Sequence, residues 1–247
     1  MRGSFFAKPL EIVLEIEGER WRQGESVRGR LTLRHRGSAA HPLAGLDVQL
    51  CRAQLSAVKK KADGAFKPIV SHEISGELAP GAALEREFEF ALGMNAPITD
   101  SVSSLFVTCG PGALQLQVEP SLVIQEFTST LQAQHHFGFK TYKHSKTGVE
   151  AKFSAPDGQR FAAIEGLVLT SRFAEESGQP DLLLHYEFEI RQVGAGPLPM
   201  KVAKGSRTVE QVMRASEYLT PSGRVSFDEV RKRVAEAVSS VESKILF

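Results

Sequence analysis

From Leu10 to Arg34 apolar and polar residues alternate on either side of one break. Leu10, Ile12, Leu14 and Ile16 share one parity, with Glu11, Glu15 and Glu17 at intervening positions. Past Gly24-Glu25, Val27, Leu31 and Leu33 face one way and Arg28, Arg30 and Arg34 the other. Period two is the pattern of a half-buried strand. Two strands are therefore predicted, with Gly24 supplying the backbone freedom of the turn between them. Paired antiparallel, they set an acidic outer face against a basic one.

The pattern repeats at short spacing. Leu46–Leu50, Val70–Ile74, Leu84–Leu92, Leu105–Val107 and Leu114–Val118 read as further strands, punctuated by turns at Ala79-Pro-Gly81 and Cys109-Gly-Pro-Gly112. Short strands at such intervals predict an all-β sandwich. Near Pro120 the period changes: Val123, Phe127 and Leu131 fall four apart, predicting a short helix over Ser121–Gln134. A second strand series follows, over Phe137–Tyr142, Val149–Phe153, Ile164–Thr170 and Leu182–Ile190. Thr208–Leu219 groups Val209, Val212 and Met213 and reads as helical. After Ser226, whose spacing to Glu229 fits a capping box, Phe227, Val230, Val234, Val238, Val241 and Ile245 form one apolar helical stripe. The expected layout is residues 1–125 as one β-sandwich, 126–205 as a second, and 206–247 as a C-terminal helical segment.

The run GESVRGRLTLRHRG followed by LAGLDVQLCRAQ resembles the first sandwich of arrestin-like proteins. Gly24, Glu25, Val27, Gly29 and Leu31 match that family's turn and its V-x-G-x-L strand, and Leu46, Val48 and Leu50 match the strand that follows. FEFALGMNAPIT, LFVTCG and VEPS look like the later strands and junction helix of the bacterial sporulation-control branch. The resemblance spans Leu10 to Gly138. It implies two tandem arrestin-like β-sandwiches with a short junction helix, a mostly β fold, and a non-enzymatic scaffold or adaptor that binds proteins through loops and sheet edges. The animal arrestins' phosphate-sensing residues have no counterpart positions here, so phosphoreceptor recognition is not implied.

Composition narrows the role. The 247 residues are 42% hydrophobic and 24% charged, enough to bury a core. Thirty basic against 29 acidic residues leave a net charge of +1, without the basic excess typical of nucleic-acid modules. No 20-residue apolar run and no signal-like apolar core stand out, so a soluble, cytoplasmic chain is expected. The two cysteines, Cys51 and Cys109, lie far apart without CxxC spacing and read as buried free thiols, with a single bridge as the alternative. No GxSxG, GxxxxGK[ST], HExxH or strand-borne GxGxxG motif occurs. His135, His136 and His144 suggest a metal site on paper, but adjacent side chains diverge in either helix or strand. Glu85, Glu87 and Glu89 fit a solvated strand face. The expectation is therefore no catalytic, cofactor or metal residue.

Two interaction surfaces remain. Lys59, Lys60 and Lys61 form the one compact charge run, suited to an acidic protein partner or, as the alternative, an anionic membrane surface. Val230, Val234 and Val238 belong to a stripe that must be covered, by its own domain or by a partner, including a second copy in a homodimer. An enzyme with a site assembled from distant loops is the remaining alternative.

Overall fold

A computed structural model describes residues 1–158, 163–174, 180–193 and 202–245. The chain divides into two compact units, Met1–Glu119 and Pro120–Phe247. It is mostly β, with antiparallel sheets in both units.

The first unit opens with β1 (Arg2–Ala7), β2 (Leu10–Ile16), β3 (Arg20–Arg22), β4 (Ser26–His35), β5 (His41–Pro42) and β6 (Leu46–Gln54). A five-residue helix, α1 (Leu55–Lys59), leads into β7 (Phe66–Ile74), β8 (Glu77–Leu78), β9 (Ala83–Ala91), β10 (Ser103–Cys109), β11 (Gly112–Gln115) and β12 (Gln117–Glu119). Two four-stranded sheets result, in the orders β1-β2-β4-β9 and β11-β10-β6-β7. The alternation dictates how they meet. Leu10, Ile12, Leu14, Ile16, Val27, Leu31, Leu33, Phe88 and Phe90 of the first sheet bury against Val48, Leu50, Ile74, Leu105, Val107 and Cys109 of the second. Each such side chain, fully buried, contributes roughly 1.5–3 kcal/mol of transfer free energy.

The outer face of the first sheet is a charge ladder. The register sets Glu11 opposite Arg34 and Glu15 opposite Arg30, then Arg28 and Arg30 opposite Glu89 and Glu87. Arg28–Glu89 (3.2 Å), Arg30–Glu87 (3.4 Å) and Arg36–Glu11 (2.6 Å) close ion pairs along it. The expected meeting of acidic and basic faces thus takes place, with β9 adding a second acidic row.

In the second unit α2 (Leu122–His135) is followed by β13 (Gly138–His144), β14 (Val149–Ser154), β15 (Ile164–Phe173), β16 (Leu182–Val193) and β17 (Val202–Met213), then α3 (Ala215–Tyr218) and α4 (Phe227–Ile245). The five strands form one antiparallel meander in sequence order. Its buried face carries Ala151, Phe153, Leu167, Leu169, Leu184, Tyr186 and Phe188. Among the described residues the layer packed with this sheet is helical: α2 and α4 touch each other, and they reach β13 and β17 respectively. Among the described residues the alternating segments of this unit form this one five-stranded sheet.

Three local expectations need correction. Gly24 (φ +89°) does not join the first two strands. It turns between β3 and β4, where the Glu25 N–H donates to Arg22 C=O (3.1 Å) and the Gly24 N–H to Leu92 C=O (2.9 Å). β3 had been hidden because three residues carry no periodicity, yet it pairs in parallel with β12 and buries Trp21. Thr208–Leu219 is not one helix. Its first part continues β17, paired to β16 from Val202↔Val193 through Met213↔Leu182. The grouping of Val209, Val212 and Met213 was ambiguous. Open N–H and C=O groups along β16 settle it, since a buried strand edge must be paired. Only Ala215–Tyr218 is helical there. Finally, β1 precedes the strand read as first.

No helix among the described residues is long and apolar enough to cross a membrane.

Candidate interaction surfaces

The lysine run sits at the tip between β6 and β7. Lys59 ends α1, Lys60 caps it in the right-handed region, and Lys61 adopts φ +50° to reverse the chain. Lys60 and Lys61 N–H groups donate to Ser56 and Val58 C=O at 3.2 and 3.0 Å, and Ala62 N–H reaches Ala57 C=O at 3.1 Å. All three ammonium side chains are exposed. The β6–β7 register adds Arg52 opposite Lys67, so the tip gathers Arg52, Lys59, Lys60, Lys61 and Lys67 against the single carboxylate Asp63. None of these five cations forms an ion pair with another described residue, whereas Arg28, Arg30, Arg34 and Arg36 on the ladder are all paired. Arg52 escaped sequence reasoning because it lies within a strand, seven residues before the run. Its signal was the hairpin register, which sequence alone does not print.

The valine stripe is placed differently. Val230, Val234 and Val238 are 0% exposed and Val241 is 2% exposed. The second unit itself covers them. Phe227, at the start of the stripe, is 54% exposed. The side chain of Ile245 lies outside the described residues. Polar contacts fix the helix further: Gln211 Nε2 donates to Arg233 C=O (3.0 Å), and Arg233 Nη2 pairs with Glu217 at 2.6 Å. The Arg214 backbone N–H, then Arg233, hold the Glu217 carboxyl below the usual carboxylate range.

His136 takes φ +58° to close α2, with its N–H on Gln132 C=O (3.1 Å), while His144 ends β13. Among the described residues no group of three or more His, Cys, Asp or Glu could hold a metal ion. Cys51 and Cys109 are buried free thiols on β6 and β10. Burial, then the charge of Asp47, pushes the Cys109 thiol up to about 12. Burial also raises Cys51, which lies 3.4 Å from Thr108 Oγ1. A hollow of about 400 Å³ is lined by Glu165, Glu187, Glu189 and Lys204. Its Glu165 is bound by Arg191 (2.9 Å) and Lys204 (3.5 Å), and the Arg191 hydrogen bond chiefly holds that carboxyl below its ordinary value.

These features describe a two-unit, mostly β protein with an ion-paired sheet face and, between β6 and β7, a basic tip whose cations form no ion pair among the described residues. No protein-family model matches the chain, and no curated protein matches its sequence. Among solved structures it is similar to Spo0M, the sporulation control protein from Bacillus subtilis: TM-score 0.62, 15% identity, covering 96% of this chain and 99% of that one. At that identity the likeness establishes a Spo0M-like fold. A β-glucosidase from Listeria innocua aligns over 46% of this chain and 17% of its own, at 14% identity and TM-score 0.30, and carries no argument.

Proposed function

We propose that this chain is a cytoplasmic, non-enzymatic regulatory scaffold of the arrestin-like kind, which holds an acidic protein partner at the tip between β6 and β7. The observation that supports this reading is the set of five cations at the tip that form no ion pair among the described residues, in contrast to the paired arginines Arg28, Arg30, Arg34 and Arg36. Clustered like charge repels itself and weakens the isolated fold slightly; an acidic surface turns that repulsion into attraction and speeds encounter. A regulatory role also agrees with the name of the structural neighbour, a sporulation control protein.

The test is affinity capture from native lysate with the wild type and with K59E/K60E/K61E, read by quantitative mass spectrometry. A partner retained by the wild type and lost by the folded triple variant supports the proposal. Equal retention by both sinks it. Salt-sensitive binding to anionic vesicles, at about 1 kcal/mol per lysine near the surface, in place of protein capture would move the tip to the membrane alternative.

A further inference from the structure

The outer face of the five-stranded sheet in the second unit carries opposite charge on its two sides. The register lays that face out in rows from β13 to β17. One row runs Lys143, Glu150, Thr170, His185, Glu210, and the next Thr141, Lys152, Val168, Glu187, Thr208. A third places Ser154, Gly166, Glu189 and Ser206 on β14 to β17. The intervening Ala151, Leu169 and Tyr186 are buried on the opposite face, so period two keeps all three rows on one side. The central strand β15 gives these rows no charge: Thr170, Val168 and Gly166 are neutral and short. Across it the sign inverts, Lys152 on β14 answering Glu187 on β16, and Lys143 on β13 answering Glu210 on β17. Lys143, Lys152, Glu187 and Glu210 are exposed. Neither lysine, nor Glu187, forms an ion pair with another described residue, and Glu210 has His185 at 3.3 Å. Leu183 and Val212, opposite each other at one end, add exposed apolar surface.

We infer that this face docks on the same face of a second copy of the chain, about a two-fold axis running along β15. Charge selects the occupant. The rotation exchanges the two sides of the sheet and leaves its ends in place, so β14 lies over β16 of the second copy and β13 over its β17. Lys152 then meets Glu187, Lys143 meets Glu210 and Glu150 meets His185, each contact made twice, as an isologous interface requires. Stacked sheets sit about 10 Å apart with strands crossing by about 30°. The short side chains on the axis permit that approach, and a lysine facing a glutamate is long enough to span it. An axis across the strands would lay each strand on its own copy and set the acidic β16–β17 side on itself. Arg172, which follows Thr170 on the outer face of β15, lies on the axis and meets its own copy, at the rim where water and salt screen the repulsion. One small polar sheet face falls at or below the ~1,200 Å² of small stable interfaces, and exposed ion pairs add little, so the dimer should be of micromolar strength or weaker.

Sedimentation velocity between about 1 and about 500 µM at low ionic strength tests this, a range that brackets such an affinity. The wild type should shift toward dimer across it, and the shift should shrink in about 1 M salt. K152E and E187K each set like charges together twice in their own homodimers. Each should weaken dimerisation by roughly tenfold, with unchanged far-UV circular dichroism and melting temperature because both sites are exposed. An equimolar mixture of the two variants should recover to within about threefold of wild type, since in the mixed dimer both contacts are again complementary. R172A, which removes the like-charge encounter on the axis, should tighten the dimer. A wild type monomeric throughout, a dimer indifferent to both charge reversals, or a mixture no tighter than either variant alone each overturns the inference, and an R172A dimer weaker than wild type overturns the axis along β15. The scaffold reading stands or falls separately, on partner retention by Lys59–Lys61.

Discussion

Gly29 sits in the middle of β4, paired to Ile16 of β2 on one side and Phe88 of β9 on the other. It is the glycine of the V-x-G-x-L pattern, and its backbone is extended, so conformational freedom is not the reason for it. Space is. A Cβ added there would meet the carbonyl oxygen of Glu15 and lie 2.5 Å from Phe88 Cζ. Those two obstacles differ in kind. The Phe88 ring can turn, whereas the Glu15 carbonyl belongs to a strand held in register on both sides. Gly29→Ala should therefore cost about 1–3 kcal/mol by overpacking. That outweighs the roughly 0.4–1 kcal/mol gained by restricting the unfolded chain. Urea unfolding followed by fluorescence of Trp21, the single tryptophan and a buried residue of the first unit, reports on the right core. Phe88→Ala alone should cost roughly 3–5 kcal/mol. If the carbonyl dominates, Gly29→Ala keeps at least half its cost in the Phe88→Ala background. A Gly29→Ala protein as stable as wild type, or a cost that vanishes without the ring, would refute the reasoning.

Replacing Val234 and Val238 with Asp should lower stability by several kcal/mol, since each would bury an unpaired carboxylate. Burial raises those carboxyl pKa values, so the folded state binds more protons than the unfolded one and the deficit should grow as pH rises, measured by thermal melts; an unchanged melting temperature at pH 7 would contradict the buried stripe. Glu217→Gln should destabilise at neutral pH, because the folded pKa is lowered; the difference from wild type should persist above the ordinary carboxylate pKa of about 4.3 and fade as pH falls through the lowered value. A pH-independent difference would remove the Arg214 and Arg233 contacts as its cause. Cys51 and Cys109 should resist alkylation in the native state and both react in denaturant, counted by intact-mass spectrometry; rapid native labelling would place them elsewhere.

The strands were legible because one face of each is buried: Leu10, Ile12, Leu14 and Ile16 had to alternate with polar residues to cover a core on one side. What packs on such a face is not written in the same pattern. Tyr186 and Phe188 would alternate equally well under a second sheet or under α4. The stripe from Val230 to Val241 announced a helix and its burial, because 3.6-residue periodicity is local. β17 was misread because Val209, Val212 and Met213 group at helical spacing, whereas in the strand Val209 and Met213 share one face and Val212 is 55% exposed on the other; its pairing with β16 is a long-range fact. The basic tip was visible as Lys59–Lys61 with Lys67 following, but Arg52 joins it only through the β6–β7 register. That β7 ends its sheet was invisible, since whether a strand is central or terminal depends on the order of strands in the sheet.

A photo-crosslinking residue placed at position 60, on the basic tip, and separately at position 87, on the neutralised ladder, tests the scaffold function most directly. Both side chains are exposed, that of Glu87 by 84%. Irradiation in intact cells should trap a discrete protein partner at position 60, with the yield falling when Lys59 and Lys61 are changed to Glu, and should trap none at position 87. Equal trapping at the two positions, or a yield at position 60 that ignores the charge reversal, would contradict a partner held by the tip.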